Sequence, residues 1–194
     1  MDPAAQYALA YALSTSAGLR GLLTLAAVSL AVHLGLFHPP QSFAWLGSDK
    51  VTLILVSVAA VEVLGDKLPL LDHAFHTLQL VLKPAAAAIL VGGIVHTQHP
   101  AELYALMALG ALNALGIHAV SAATRGASTA LTAGVANPGI SLVEDFVAVA
   151  LIVCALLAPL LAAAAAVVLT ALIVRSTRAV WRRVRNNRRP APDG

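Results

Sequence analysis

Two acidic clusters stand in or against long apolar stretches of this chain, Glu62-Val-Leu-Gly65-Asp66-Lys67 and Ser141-Leu-Val-Glu144-Asp145. A carboxylate at the centre of a bilayer helix costs about 2.5 to 3.5 kcal/mol on insertion scales, so several of them predict a site that handles charge. Glu62 and Asp66 are four residues apart, which puts them on one face of a continuous helix, able to share one cation. Gly65 between them lets the backbone unwind and offer carbonyl oxygens. Such oxygen-rich sites suit hard divalent ions, so Glu62 and Asp66 are candidate ligands for a calcium, magnesium or manganese ion. Lys67 is an internal charge partner. The competing reading is that Asp66 and Lys67 simply end the helix at the membrane interface before Pro69. Glu144 and Asp145 are adjacent and point about 100° apart on an ideal helix, so they cannot both face one spot. Ser141 with Glu144 three residues on also reads as a capping box, which would explain Glu144 but not Asp145.

Arg20 and Arg125 are the matching cations. Each sits in a segment of the form S-A-x-x-R-G-x-x-T, Ser16 to Thr24 and Ser121 to Thr129, and Tyr-Ala-Leu precedes each copy, at Tyr7 and Tyr104. An isolated arginine inside a bilayer is expensive, so each is expected to pair with a carboxylate of its own or the other half, as a structural tie or a moving gate. The arginines could instead hold an anion beside the N-terminus of a half-helix. Two copies followed by carboxylates predict two related halves, residues 3–98 and 101–184, as in secondary transporters that bind substrate at a repeat interface. Chance similarity in an alanine- and leucine-rich chain is the rival. His73 and His76, with Asp72 alongside, have a spacing that can hold a transition metal or relay protons, although water-satisfied interfacial histidines are commoner. Asn113 and His118 are expected to make hydrogen bonds between helices.

The elements that must position these groups are membrane helices. Of 194 residues, 59% are hydrophobic and 11% charged, against about 25% charged in soluble domains; the mean hydropathy is +0.85. The spacing of prolines and glycines predicts an all-α polytopic bundle with short or broken helices over 3–13, 16–36, 50–65, 69–82, 84–97, 101–119, 121–135, 140–158 and 160–184. Residues 1–185 form a single transmembrane domain in this reading, and residues 186–194 a basic, disordered tail. The acidic opening Met1-Asp2-Pro3 does not suit a cleaved leader. Cys154 is the only cysteine and reads as a small buried hydrophobe, which leaves no disulfide or thiolate metal site. Seven arginines from Arg175 to Arg189 place the C-terminus in the cytoplasm by the positive-inside rule and suit anionic lipid headgroups. They do not suggest nucleic acid, because they adjoin a membrane helix and only Trp181 interrupts them. Small residues such as Gly110 and Ala114 allow close packing and a homodimer. No nucleophile-base pair, phosphate loop or zinc-protease signature is present, so no enzyme is expected.

Residues Ser16 to Arg20, Val61 to Asp72, His118 to Arg125 and Asn137 to Asp145 resemble a bacterial membrane-protein family known only as domain-of-unknown-function family 4126. The resemblance spans most of residues 14–160 and implies no activity. A looser architectural similarity is to the calcium/manganese cation-proton exchangers, whose repeats each carry E-x-G-D-K-[ST]. Here one extra residue separates Glu62 from Gly65, Leu68 replaces the hydroxyl residue, and the second half has Glu144-Asp145 without Gly or Lys. The expectation is therefore a small bacterial inner-membrane transporter without a cofactor. Its cargo would be a cation, a divalent metal with proton coupling, handled by Glu62, Asp66, Glu144 and Asp145. Arg20, Arg125 and Lys67 would be partners or gates, and Ser16, Asp72, His73, His76 and Ser141 auxiliary polar groups. A scaffold built on buried ion pairs, or an anion or lipid-headgroup transporter using the arginines, are the rival classes.

Overall fold

The computed structural model describes residues 1–65 and 72–187; the side chains of residues 71–77, of Leu131 and of most residues beyond Arg175 fall outside what it describes. Among the described residues there are seven α-helices, one 3-10 helix over Gln41–Gly47 and no strand. The α-helices are α1 (Pro3–Leu19), α2 (Gly21–His33), α3 (Asp49–Gly65), α4 (Asp72–Ile94), α5 (Pro100–Thr132), α6 (Asn137–Leu157) and α7 (Pro159–Asn187). The chain is an all-α membrane helix bundle. Helices suit this setting because their backbone hydrogen bonds are satisfied within the segment, where lipid offers no partner.

Three expected boundaries are corrected. The expected gap between 13 and 16 is helical, and the chain breaks instead at Arg20, whose φ of −135° and ψ of 87° separate α1 from α2. The Ser14 and Thr15 hydroxyls bond back to the Tyr11 carbonyl, so these residues stay in the helix rather than interrupting it. The segments expected at 69–82 and 84–97 are joined in α4, which carries Pro84 inside it. A proline removes one donor without forbidding continuation when tertiary packing holds the helix. Nor is there a break at Val120, because α5 runs unbroken for 33 residues. The break between α6 and α7 falls at Ala158 (φ −148°, ψ 76°), since a residue before proline is driven out of the helical region.

α1 is the hub. Asp2 caps it by accepting from the Ala5 N–H at 2.8 Å, and Pro3 fits the first helical turn. Nearly every residue from Ala8 to Leu19 is buried, which a helix of small and apolar residues on all sides permits. It packs against α2, α4, α5, α6 and α7, so helices from both residues 3–98 and residues 101–184 meet on it. A Cβ on Gly18 would lie 2.5 Å from Ile117 Cβ and 2.8 Å from the Ala114 carbonyl oxygen, so α1 and α5 cross there at backbone contact.

The surface is inverted relative to a water-soluble protein. Leu53, Ile54 and Val61 on α3, Val143 and Phe146 on α6, and Leu161 and Val168 on α7 are all exposed, apolar surface of the kind that faces lipid or another protein rather than water. Residues Pro100–Ala130 and Asn137–Leu157 are long and apolar enough to cross a membrane, and the 3-10 helix with α3 makes a third candidate bent by 63°.

Candidate functional site

Charged side chains gather at the break between α1 and α2. Arg20 is 0% exposed and crosses to α6, where its Nη2 donates to Ser141 Oγ at 2.8 Å and to the Ser141 carbonyl at 3.2 Å. Its Nε lies 2.6 Å from Asp145 Oδ1, and its Nη2 is 3.8 Å from Glu144 Oε2. Arg125, from α5, forms an ion pair with the same Glu144 oxygen, while Ser121, one turn earlier, donates to Glu144 Oε1. The arginines of both S-A-x-x-R-G-x-x-T segments thus meet on one carboxylate. Their backbones differ, because the first copy spans a helix break and the second lies within continuous α5.

The capping-box reading of Ser141 and Glu144 is corrected. α6 begins at Asn137, four residues before Ser141, with Ala136 as an N-cap that makes no side-chain hydrogen bond. Pro138 starts this helix by its fixed φ and missing donor. Ser141 is therefore free to serve Arg20, and Glu144 to face Arg125.

Glu62 has a different task. It is 3% exposed and its Oε2 accepts the Leu23 backbone N–H at 3.0 Å, in the first turn of α2. Its negative charge meets the positive end of that helix and satisfies a donor the break leaves without an intrahelical acceptor. The Thr24 hydroxyl and N–H both bond to the Arg20 carbonyl, and Ser16 Oγ lies 2.9 Å from Thr24 Oγ1, so the break is tied on both sides. Ser16 also reaches the Ala148 carbonyl on α6.

Lys83, which sequence reasoning missed, completes the cluster. It is 1% exposed on α4, its Nζ lies 3.2 Å from His118 Nδ1, and it sits within the fields of Glu144, Glu62, Arg20 and Arg125. The signal was a lone lysine inside an apolar helix, beside Pro84. Asn113 Nδ2 donates to Ser14 and Thr15 at 2.9 Å, tying α5 to α1. Asp66 and Lys67 lie outside the described residues, as do the side chains of Asp72, His73 and His76 in the first turns of α4. The proposed sharing of a cation by Glu62 and Asp66 lies there too.

Beside Glu144 is a cavity of about 490 Å³, walled by the end of α1 and by α5, α6 and α7. Glu144, Ser121 and Thr124 give it polar atoms, and its other lining residues are apolar. Val143, well exposed, stands on its rim.

The profile of the family described as domain of unknown function DUF4126 matches residues 7–179, which takes in every residue of this cluster. The chain belongs to that family. No curated protein and no solved structure matches it. What the DUF4126 cluster can do follows from its chemistry: a buried set of acids and bases, with one carboxylate at a cavity wall and held by cations from two helices.

Proposed function

We propose that this DUF4126 chain is a small integral membrane transporter of a cation, in which Glu144 exchanges its arginine partner for cargo or a proton. The observation that supports this is the position of Glu144, on the cavity wall and between Arg125 and Arg20. A carboxylate so placed is a natural switch. Protonation cancels the charge that holds Arg125, while Asp145 keeps Arg20 compensated, so one ion pair can open without stranding the other. The helix break at Arg20, with Glu62 at the start of α2, gives the bundle a joint at the site, comparable to the discontinuous helices of alternating-access carriers. The loose similarity to cation-proton exchangers agrees with this chemistry. In this reading the protein lies in a bacterial inner membrane with its C-terminus in the cytoplasm. The C-terminal arginines touch anionic headgroups, and close helix packing permits a homodimer.

A second reading has a specific observation behind it. Arg20, Glu144 and Asp145 are compensated within the described structure, as expected of a scaffold whose ion pairs fix helix register. Flux separates the two. Purified protein in liposomes, given a pH gradient and a panel of monovalent and divalent cations, should move at least one cation with countermovement of protons. Glu144→Gln should abolish coupling. A protein that moves no cation, or moves it equally well with Gln at 144, is not the transporter proposed.

A further inference from the structure

Lys83 and His118 bring two bases together in the core. Lys83 Nζ is 3.2 Å from His118 Nδ1, and the residues are 1% and 2% exposed. A hydrogen bond between two nitrogens needs a proton on one and a lone pair on the other, whereas an ammonium and a doubly protonated imidazole are donors only. The contact therefore excludes the state in which both are cations, whatever else either residue meets. It survives in two states of charge. In one the pair carries a single positive charge, as an ammonium donating to a neutral imidazole; in the other it carries none, because an uncharged amine can donate or accept. Passing between them takes one proton and no change of partner.

The position of the pair gives that proton a use. A Cβ on Gly21 would lie 3.0 Å from Lys83 Cα and Cγ, so the lysine stem packs on the first residue of α2, directly after the break at Arg20. Among the described residues, the charged groups that act on Lys83 through space are Arg20 at the join of α1 and α2, Glu62 of α3, Arg125 of α5 and Glu144 of α6. A positive charge on Lys83 is thus felt at both buried glutamates of the cluster. We propose that Lys83 and His118 together hold the proton that the exchange trades, which leaves Glu144 for the cargo. This rests on the reading of the chain as a proton-coupled cation transporter and assigns its proton site. A cation at Glu144 and the charge on the pair repel each other in a core that screens little. Cargo arriving at Glu144 expels the proton, and cargo leaving lets the pair take one up. One positive charge enters the buried cluster as another leaves it, and no uncompensated charge has to be held within the bilayer.

The test has two arms, both on the full-length protein. The first is nuclear magnetic resonance in detergent micelles, with nitrogen-15 at lysine Nζ and in the histidine rings, from about pH 5 to 11, a span that holds the ordinary histidine and lysine values. Lys50, Lys67 and Lys83 are the lysines of the chain, and the Lys83 signal is the one that Lys83→Arg removes. Lys83 Nζ and the His118 ring should shift together in one step. His118→Asn places an amide oxygen near the position of Nδ1 but takes up no proton; it should move the Lys83 midpoint by about one pH unit or more, as for coupled groups. Separate steps, or no step at either group, overturn the proposal. The second arm is uptake into liposomes of manganese(II), calcium or sodium. A gradient of one pH unit is a tenfold ratio of proton activity, so an exchanger gathers its cargo about tenfold for each proton traded. Wild type should reach this with at least one of the three. Lys83→Arg keeps the donor and the stem against Gly21 but cannot give up its charge, and it should gather none. If Lys83→Arg does not fold, His118→Asn takes its place with the same expectation. Accumulation that survives in Lys83→Arg means that the lysine serves as a fixed donor, and overturns the proposal while the transporter reading stands. A shared step in a protein that moves none of the three cations defeats the transporter reading, and the exchange role of the pair with it.

Discussion

Replacing Arg20 by methionine is the most severe test of the charge cluster. The substitution keeps an unbranched, apolar but shorter chain and removes the guanidinium that is 2.6 Å from Asp145, 2.8 Å from Ser141 Oγ and 3.8 Å from Glu144. Removing one partner of a buried pair typically costs about 3 to 5 kcal/mol, because the other charge stays uncompensated. Glu144 retains Arg125, so the loss should fall mainly on Asp145, and a value near the lower end, about 3 kcal/mol, is expected. Asp145→Asn removes the charge that faces the guanidinium, with little change of shape. In the double variant, part of the cost should disappear, leaving the lost Ser141 and Glu144 contacts. The coupling should be about 1 to 3 kcal/mol, the upper part of the range for directly interacting residues. Reversible unfolding of wild type, both single variants and the double variant in mixed micelles measures it. If the two substitutions add within about 0.5 kcal/mol, Arg20 and Asp145 are not coupled and the charges do not act as one cluster.

Two further perturbations probe the framework. At the crossing of α1 and α5, Gly18→Ala places a methyl 2.8 Å from a backbone carbonyl that cannot turn aside; overpacking of this kind costs about 1 to 3 kcal/mol. Gly116→Ala, where a Cβ meets nothing within 4 Å, should be neutral or stabilising by up to about 1 kcal/mol, and thermal melts of the pair compare a packed with an open glycine. Glu62→Gln keeps an acceptor for the Leu23 N–H and forfeits the charge–dipole attraction, about 0.3 to 2 kcal/mol. Glu62→Ala leaves that N–H without its acceptor, a further cost of about 1 to 3 kcal/mol. Amide exchange at Leu23 should therefore accelerate far more in the alanine variant, and equal protection in both would contradict the capping role.

Membrane class and helical architecture were legible from composition and apolar run length, because insertion into lipid is decided by summed hydrophobicity over a segment. The charged residues of the cluster were legible as well, since Arg20, Glu62, Glu144 and Asp145 stand out against hydrocarbon. That each arginine pairs with a carboxylate was legible too, as Arg20 with Asp145 and Arg125 with Glu144 bear out; which partner each takes was not. Arg20 and Ser141 are separated by 121 positions, and nothing local at either position specifies the other. The break at Arg20 was hidden for a related reason: no proline marks it, and besides the nearby Thr24 it is held by Glu62 and Ser141 arriving from elsewhere. Punctuation misled at Pro84 and at Val120, where packing of α4 against α5 overrides local preference. Lys83 was passed over because a single basic residue beside a proline reads as a helix end, whereas the continuous α4 carries it into the core.

The distance in sequence between Arg20 and its partners also sets an order of events in biosynthesis. When Arg20 joins the growing chain, Ser141, the first of its partners on α6 to be made, is still 121 residues away. At about 5 to 20 residues per second, that interval is roughly 6 to 24 seconds. Throughout it, the nascent hub carries a charge that lipid rejects, without the α6 groups that it meets in the finished fold. A chain cut short before residue 141 lacks Ser141, Glu144 and Asp145, the groups of α6 that Arg20 meets in the finished bundle.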